Sequence, residues 1–252
     1  MGKKLIQALS AFLAGLVVVN FGLAGGMILV PALMYAGDKI KKATATSLAI
    51  IAFISLSGTY QHLDVTHEFV ISEANIFLLT TAVLGAILGA VLLNKAKNKT
   101  LTLLTTIYFF IVGVILVFSV LYNEIEFLYE LPKQIYWIMG LPIAFVSTLF
   151  GIGSGAMLIP ALIYGFNATP KEAVAMTMPF IFILTFTTTI VSIKNKLVDH
   201  IALVIMVPFA LAGSLSAYTV NMYVSNEHVQ LGVGALMLLS AFVMTIRSIS
   251  RS

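Results

Sequence analysis

Residues 21–37 read FGLAGGMILVPALMYAG, and residues 150–166 read FGIGSGAMLIPALIYGF. At an offset of 129 the two stretches share Phe21/Phe150, Gly22/Gly151, Gly26/Gly155, Leu29/Leu158, Pro31/Pro160, Ala32/Ala161, Leu33/Leu162 and Tyr35/Tyr164. Apolar sequence matches itself at leucine and alanine by chance. It does not readily match two glycines and a proline in register. The correspondence continues after a one-residue slip, where Ala43, Ala45 and Ser47 align with Ala173, Ala175 and Thr177. Further on, Gly85-x-x-x-Gly89 aligns with Gly213-x-x-x-Ala217. A repeat of this length is the first thing to seek in a sequence, because it decides the architecture. The chain reads as a first membrane repeat over 1–122, an external linker over 123–134 and a second membrane repeat over 135–252. Together they form one integral membrane domain.

Composition says what surrounds these repeats. Of 252 residues, 60% are hydrophobic and 10% charged, against about 45–50% and about 25% in a soluble domain. Mean hydropathy is +1.05. A soluble chain of this size has too little interior to hide so much apolar surface, so lipid covers the outside. There is no cysteine, which excludes disulfides, thiolate metal sites and cysteine nucleophiles. The net charge is +4, but the lysines stand in short clusters between apolar runs. That is the pattern of membrane-flanking loops rather than of a nucleic-acid surface. Lys3-Lys4 followed by an apolar run has the look of a signal peptide. The run flows into the repeated motif, so it is read as part of the fold.

Apolar segments of about 20 residues can span a bilayer. They are expected at 43–62, 74–94, 100–122, 173–193, 200–222 and 228–247. Two further apolar regions, 5–37 and 135–166, each carry a glycine-rich break, expected near half-membrane depth. Charge distinguishes a region that crosses from one that turns back. If both turn back, Lys3, Lys4, Lys39, Lys41, Lys42, Lys95, Lys97, Lys99, Lys194, Lys196, Arg247 and Arg251 share the cytoplasmic side, leaving only Lys133 and Lys171 outside. If both cross, the split is 7 against 7. The positive-inside rule favours the hairpins. The predicted fold is therefore all-α: a polytopic membrane protein of two inverted-topology repeats, each a broken helical hairpin plus three transmembrane helices. Both termini face the cytoplasm of a multi-pass plasma-membrane protein. Inverted repeats are a widespread transporter design.

Backbone groups left unpaired in lipid cost several kcal/mol each. A break inside the membrane therefore has to be buried in protein or line a polar cavity. Each break, Gly22-Leu-Ala-Gly25-Gly26 and Gly151-Ile-Gly153-Ser154-Gly155, precedes a short helix. A helix start offers free N–H donors and the positive end of a dipole, which favour an anion. Glycine lets the ligand approach the backbone. Two inverted copies are expected to aim two helix starts at one central point. The predicted substrate-binding residues are Asn20, Gly22, Gly25, Gly26, Thr46, Ser47, Gly151, Gly153, Ser154, Gly155 and Thr177, with Pro31 and Pro160 as helix-break or hinge positions. The other reading of Gly22-x-x-x-Gly26 and Gly151-x-x-x-Gly155 is close helix packing, and this is the preferred reading of Gly85-x-x-x-Gly89. Thr44, Thr46, Ser47 and Thr177 read equally as helix caps or as hydroxyl donors. Thr185, Thr187, Thr188 and Thr189 read as helix–helix hydrogen-bonding groups.

No ionisable residue is expected near the centre of a crossing. His62, Glu73, Asp199 and His200 fall at span ends and read as interfacial. No Walker loop, metal-ligand cluster or cofactor motif occurs, so neither a cofactor nor a metal is expected, and no nucleic-acid partner. Ser154 between two glycines prompts an enzyme reading, but positions 152 and 156 are Ile and Ala, so the Gly-x-Ser-x-Gly elbow fails. The expected partners are a small anionic substrate and the lipid bilayer. The residues leave the oligomeric state open.

The duplicated motif, standing as Gly22-x-Ala-Gly25-Gly26-x-x-x-x-Pro31 and Gly151-x-Gly153-Ser154-Gly155-x-x-x-x-Pro160, resembles that of the sulfite exporter TauE/SafE family. The resemblance extends to the Ala-x-Ala-Thr46-Ser47 stretch and the Gly85-x-x-x-Gly89 segment, and so to the whole chain. It implies a secondary transporter or facilitator of a small anion such as sulfite, another sulfur oxyanion or an organosulfonate. A channel-like anion pore is the alternative; an intramembrane enzyme is a more distant one.

Overall fold

The computed structural model describes residues 2–22, 25–62, 73–122, 133–151, 153–155, 157–159, 162 and 170–220, with 235, 238–239, 241–242 and 245–246. All regular structure among them is helical. Among the described residues these helices are named: α1 Gly2–Phe21, α2 Gly26–Ala36, α3 Ile40–Gln61, α4 Glu73–Lys95, α5 Asn98–Tyr122, α6 Lys133–Phe150, α7 Pro170–Lys194 and α8 His200–Val220. Residues 155, 157–159 and 162 are also helical. Stretches within α1, α3, α4, α7 and α8 are long and apolar enough to cross a membrane. Five of the six expected spans correspond to α3, α4, α5, α7 and α8. The sixth, 228–247, falls largely outside the described residues, as do Pro160 and most of the 123–134 linker.

Local sequence sets the helix ends. Gly22 (φ +59°) and Gly151 (φ +70°) stop α1 and α6 in the left-handed region that side chains avoid. Their N–H groups still bond back to Val18 and Ser147, at 2.8 and 2.9 Å. Gly37 ends α2 at φ 126°. Its amide and that of Asp38 turn back to the carbonyl of Leu33, in the manner of a Schellman cap.

Helices α1 and α2 form a hairpin, and Lys3 Nζ at its start donates to Ala36 O at its end, at 3.3 Å. The hairpin is lopsided: α1 has 20 residues and α2 has 11. At 1.5 Å per residue, α1 alone is about 30 Å long, a full bilayer core. The break therefore follows a helix long enough to cross a bilayer core and precedes one about half as long.

Packing pairs each half with the other. The most extensive interfaces are α4 on α6, α1 on α8 and α3 on α7, followed by α4 on α7 and α3 on α8. Exchanging the aligned helices α1 with α6, α3 with α7 and α4 with α8 maps this set onto itself. The aligned helices α3 and α7 run antiparallel. Thr46 near the start of α3 meets Asp199 beyond the end of α7, while Gly58 near the end of α3 abuts Met178 early in α7.

Glycines allow the tightest approaches. A methyl group built on Gly85 would strike Leu141 O and one on Gly140 would strike Leu78 O, both in the α4–α6 contact. The equivalent α1–α8 contact is equally close at Gly15 against Ala210 O and Gly213 against Phe12 O. The packing reading of Gly85-x-x-x-Gly89 is what the structure shows: Gly89 lies against Thr148 and Phe145. The outward faces of α4, α5 and α8 carry exposed Leu88, Leu104, Phe110, Ile111, Val204 and Leu215, as a lipid-facing surface requires.

Candidate functional site

Each glycine break lodges against the long helix of the other half. A Cβ added to Gly22 would lie 2.8 Å from Thr177 Oγ1 on α7 and 2.6 Å from Ile159 Cδ1, in the segment after the second break. A Cβ on Gly151 would lie 2.8 Å from Thr44 Cγ2 and 3.1 Å from Ser47 Oγ on α3. Ser47 and Thr177 are aligned residues, so the two contacts are reciprocal. Their hydroxyls are spent alike on the carbonyl three residues back: Ser47 donates to Thr44 O at 3.1 Å and Thr177 to Val174 O at 2.7 Å. Ser47 also donates to Gly151 O, at 2.8 Å, and so holds the turn of the second break.

The two breaks form two half-sites that meet α3 about one turn apart: a Cβ on Gly25 would lie 3.5 Å from Ile51 Cγ1, four residues on from Ser47, which holds the turn at Gly151, while Ile159 beyond the second break lies against Gly22.

The first half-site is built around the end of α1 and the start of α2. Gly25 precedes α2 and no side chain caps that helix start. Its carbonyl accepts from Ile28 and Leu29 at 3.1 and 2.9 Å. A Cβ on Gly25 would lie 2.7 Å from Val18 Cγ2, so Val18 would have to shift to admit a side chain there. Gly26 is buried. Asn20 is buried, and its Nδ2 has no hydrogen-bond partner. His62, following α3, bonds to the backbone of Val19, while its Nε2 is buried without a partner. Sequence reasoning set His62 aside as interfacial. The pairing of α1 with the end of α3 carries it to the first break, and nothing in its neighbours along the chain signals that.

The second half-site is rich in hydroxyls. Ser154 precedes the helical turn beginning at Gly155, and its carbonyl accepts from Met157 at 3.0 Å and Leu158 at 2.9 Å. Gly153 (φ +85°) takes the left-handed turn, and Gly153, Ser154 and Gly155 are all buried. The side chains of Ser154, Thr44 and Ser147 are buried and have no hydrogen-bond partner. Tyr108 of α5 packs at a tilt against Phe150 just before the break, with centroids 5.0 Å apart.

Thr46 is placed elsewhere. Its hydroxyl accepts the Asp199 N–H at 2.8 Å, in a polar latch that also holds Lys42 on Asp199 at 2.7 Å and on Asp38 at 3.5 Å. Asp199 in turn caps α8 through the amides of Ile201 and Ala202, at 3.0 and 3.1 Å. The threonines of α7 mostly bond back along their own helix. One reaches across, where Thr148 and Thr188 hydroxyls meet at 3.1 Å. Pro31 lies inside α2.

The family model described as "Sulfite exporter TauE/SafE" matches residues 7–244. The chain belongs to the sulfite exporter TauE/SafE family. A relative of this TauE/SafE protein is the "Probable membrane transporter protein YunE" of Bacillus subtilis (strain 168). It is 22% identical over 241 residues, covering 86% of this chain and 88% of its own length. No solved structure matches. Family, relative and apolar helices agree that this TauE/SafE chain is a multi-pass membrane protein of a transporter family, with a small-molecule substrate. Among its described residues no cluster of three or more His, Cys, Asp or Glu is placed to hold a metal ion.

Proposed function

We propose that the protein is a secondary carrier for a small anion, a sulfur oxyanion or organosulfonate such as sulfite, with the anion held at the first glycine break. The observation that carries this reading is the unpartnered amide of Asn20, buried in the last turn of α1 two residues before the first break. A buried donor without a partner costs about 1–3 kcal/mol. An anion accepting from Nδ2 and lying at the positive end of the α2 dipole removes that cost. Family membership favours sulfite within the anion class. The reciprocal lodging of the breaks and the antiparallel α3–α7 pair support an inverted repeat, with alternating access arising as one half rocks against the other.

The test is thermal stabilisation of the purified protein by sulfite, thiosulfate, sulfate, sulfoacetate, taurine, acetate and chloride. A ligand at a hundredfold excess over its Kd stabilises by about 2.7 kcal/mol. One sulfur anion is expected to raise Tm selectively, and Asn20→Leu, which installs the residue aligned at position 149, is expected to lose that rise while staying folded. Equal response of wild type and variant to every anion refutes the site. Saturable flux with counterflow in liposomes separates the carrier from a channel-like pore.

A further inference from the structure

We infer that the second glycine break is a sodium-ion site. The inference rests on the carrier reading above and assigns its two half-sites different ligands. Three hydroxyl-bearing residues belong to the turn at Gly151. Thr44 packs directly on it, its Cα 3.0 Å from where a glycine Cβ would stand. Ser147 lies one turn back, its carbonyl accepting the Gly151 N–H at 2.9 Å. Ser154 lies three residues on. These side chains are 0%, 2% and 0% exposed, and none of their oxygens has a hydrogen-bond partner. Serine and threonine in a membrane helix ordinarily donate to the carbonyl one turn back, as Ser55, Thr59, Thr185 and Thr188 do here. Five buried hydroxyls among the described residues lack such a bond, and three of them, Thr44, Ser147 and Ser154, belong to this one turn, where a ligand would use them.

The chemistry of that ligand follows from comparing the two breaks. The residues aligned with Ser147, Ser154 and Thr44 are Val18, Gly25 and Val174. The residue aligned with Asn20 is Leu149. All three hydroxyls have thus been placed at one break and the amide donor at the other. An amide nitrogen serves an anion and cannot ligate a cation. Neutral hydroxyl oxygens beside a helix C-terminus suit a hard monovalent cation, because the end of α6 presents the negative end of its dipole. Unwound backbone and half-helix C-termini are where carriers of broken-helix design coordinate sodium. The nearby latch adds to this. Two residues before Thr44, Lys42 is shared by Asp38 and Asp199, so the group has one carboxylate more than it has cations. Hydroxyls do not titrate near neutral pH, which excludes a proton at the same oxygens.

The experiment is a thermal melt of the full-length purified protein in sodium, potassium and choline chloride at constant total chloride, without other anions. Sodium is expected to raise Tm saturably, with potassium and choline alike lacking the effect. Thr44→Val and Ser154→Ala are expected to abolish the sodium rise. Because each removes a polar atom that has no partner, Tm in choline should stay level or increase, which separates a lost site from a failed fold. Asn20→Leu should keep the sodium rise. Equal shifts in all three salts, or a sodium rise that survives in both Thr44→Val and Ser154→Ala, overturns the site. Failure of the anion reading shows differently, as absence of any shift with the sulfur anions while the sodium rise persists.

Discussion

At the scale of single residues, the second break hangs on one hydroxyl. Ser47 Oγ donates to the carbonyl of Gly151 at 2.8 Å across the two halves, in a fully buried position. Ser47→Ala leaves that carbonyl without this donor, at a cost of about 1–3 kcal/mol. Ser47→Thr keeps the hydroxyl. Thermal melts should therefore show a lower Tm for the alanine variant and a smaller loss for threonine. An alanine variant as stable as wild type would mean that water or another donor serves the carbonyl. Much at this scale was legible beforehand. The paired glycines, Asn20, Ser47, Ser154 and Thr177 all belong to the two breaks because their types answer a local need: a left-handed turn, a donor, a cap. The partners of Thr46 and His62, Asp199 and Val19, were not legible because they lie far away in sequence. Only the way α3 rolls against its neighbours decides which of three adjacent polar residues faces a break.

At the scale of helices, the bundle depends on backbone-to-backbone contact at glycine. Gly85 sits against Leu141 O and Gly213 against Phe12 O. A valine at either place has to push two helices apart, which costs at least about 1–3 kcal/mol. Both Gly85→Val and Gly213→Val are expected to reduce the yield of monodisperse protein in detergent. Asn20→Leu is not expected to do so. Equal yield from all three variants would show that the α4–α6 and α1–α8 contacts are dispensable. The span limits were readable to within a few residues, because apolar length is a one-dimensional property. The seating of the breaks was not: that Gly22 lodges on Thr177 and Gly151 on Thr44 and Ser47 depends on contacts between the two halves, which no local pattern carries.

At the scale of the whole molecule, the two halves are joined at the lysine-bearing end of α3 by Lys42, Asp38, Asp199 and Thr46. The two carboxylates behave oppositely. Burial raises Asp38 above its ordinary value, Lys42 opposing this and Asp199 reinforcing it. Burial also pushes Asp199 upward, but the Lys42 hydrogen bond and charge and the amides of Ala202 and Ile201 outweigh it and hold the carboxyl low. A lowered carboxyl adds stability that is present above its unfolded value, about 3.9, and is lost as pH falls through the folded one. A raised carboxyl does the reverse: its ionised form costs stability above the folded value, and the cost vanishes as it protonates. At pH 7, Asp199→Asn should therefore lower Tm, while Asp38→Asn should hold or raise it. Any gain from Asp38→Asn should fade as pH falls through the carboxylate range. The opposite ranking of the two variants at pH 7 would contradict the assignment.

The latch has a further consequence for energetics. Lys42 aligns with Glu172 in the other half. In a carrier whose halves trade conformations, the reversed state would need its own clasp at the opposite face, where an acid occupies the place of the lysine. That clasp cannot be made from the same charges. The outward- and inward-closed forms are then unequal in free energy before any substrate binds, and the bias is written in a screened Coulomb interaction. Raising ionic strength weakens it, so the resting preference of the carrier becomes a function of the salt in which it works.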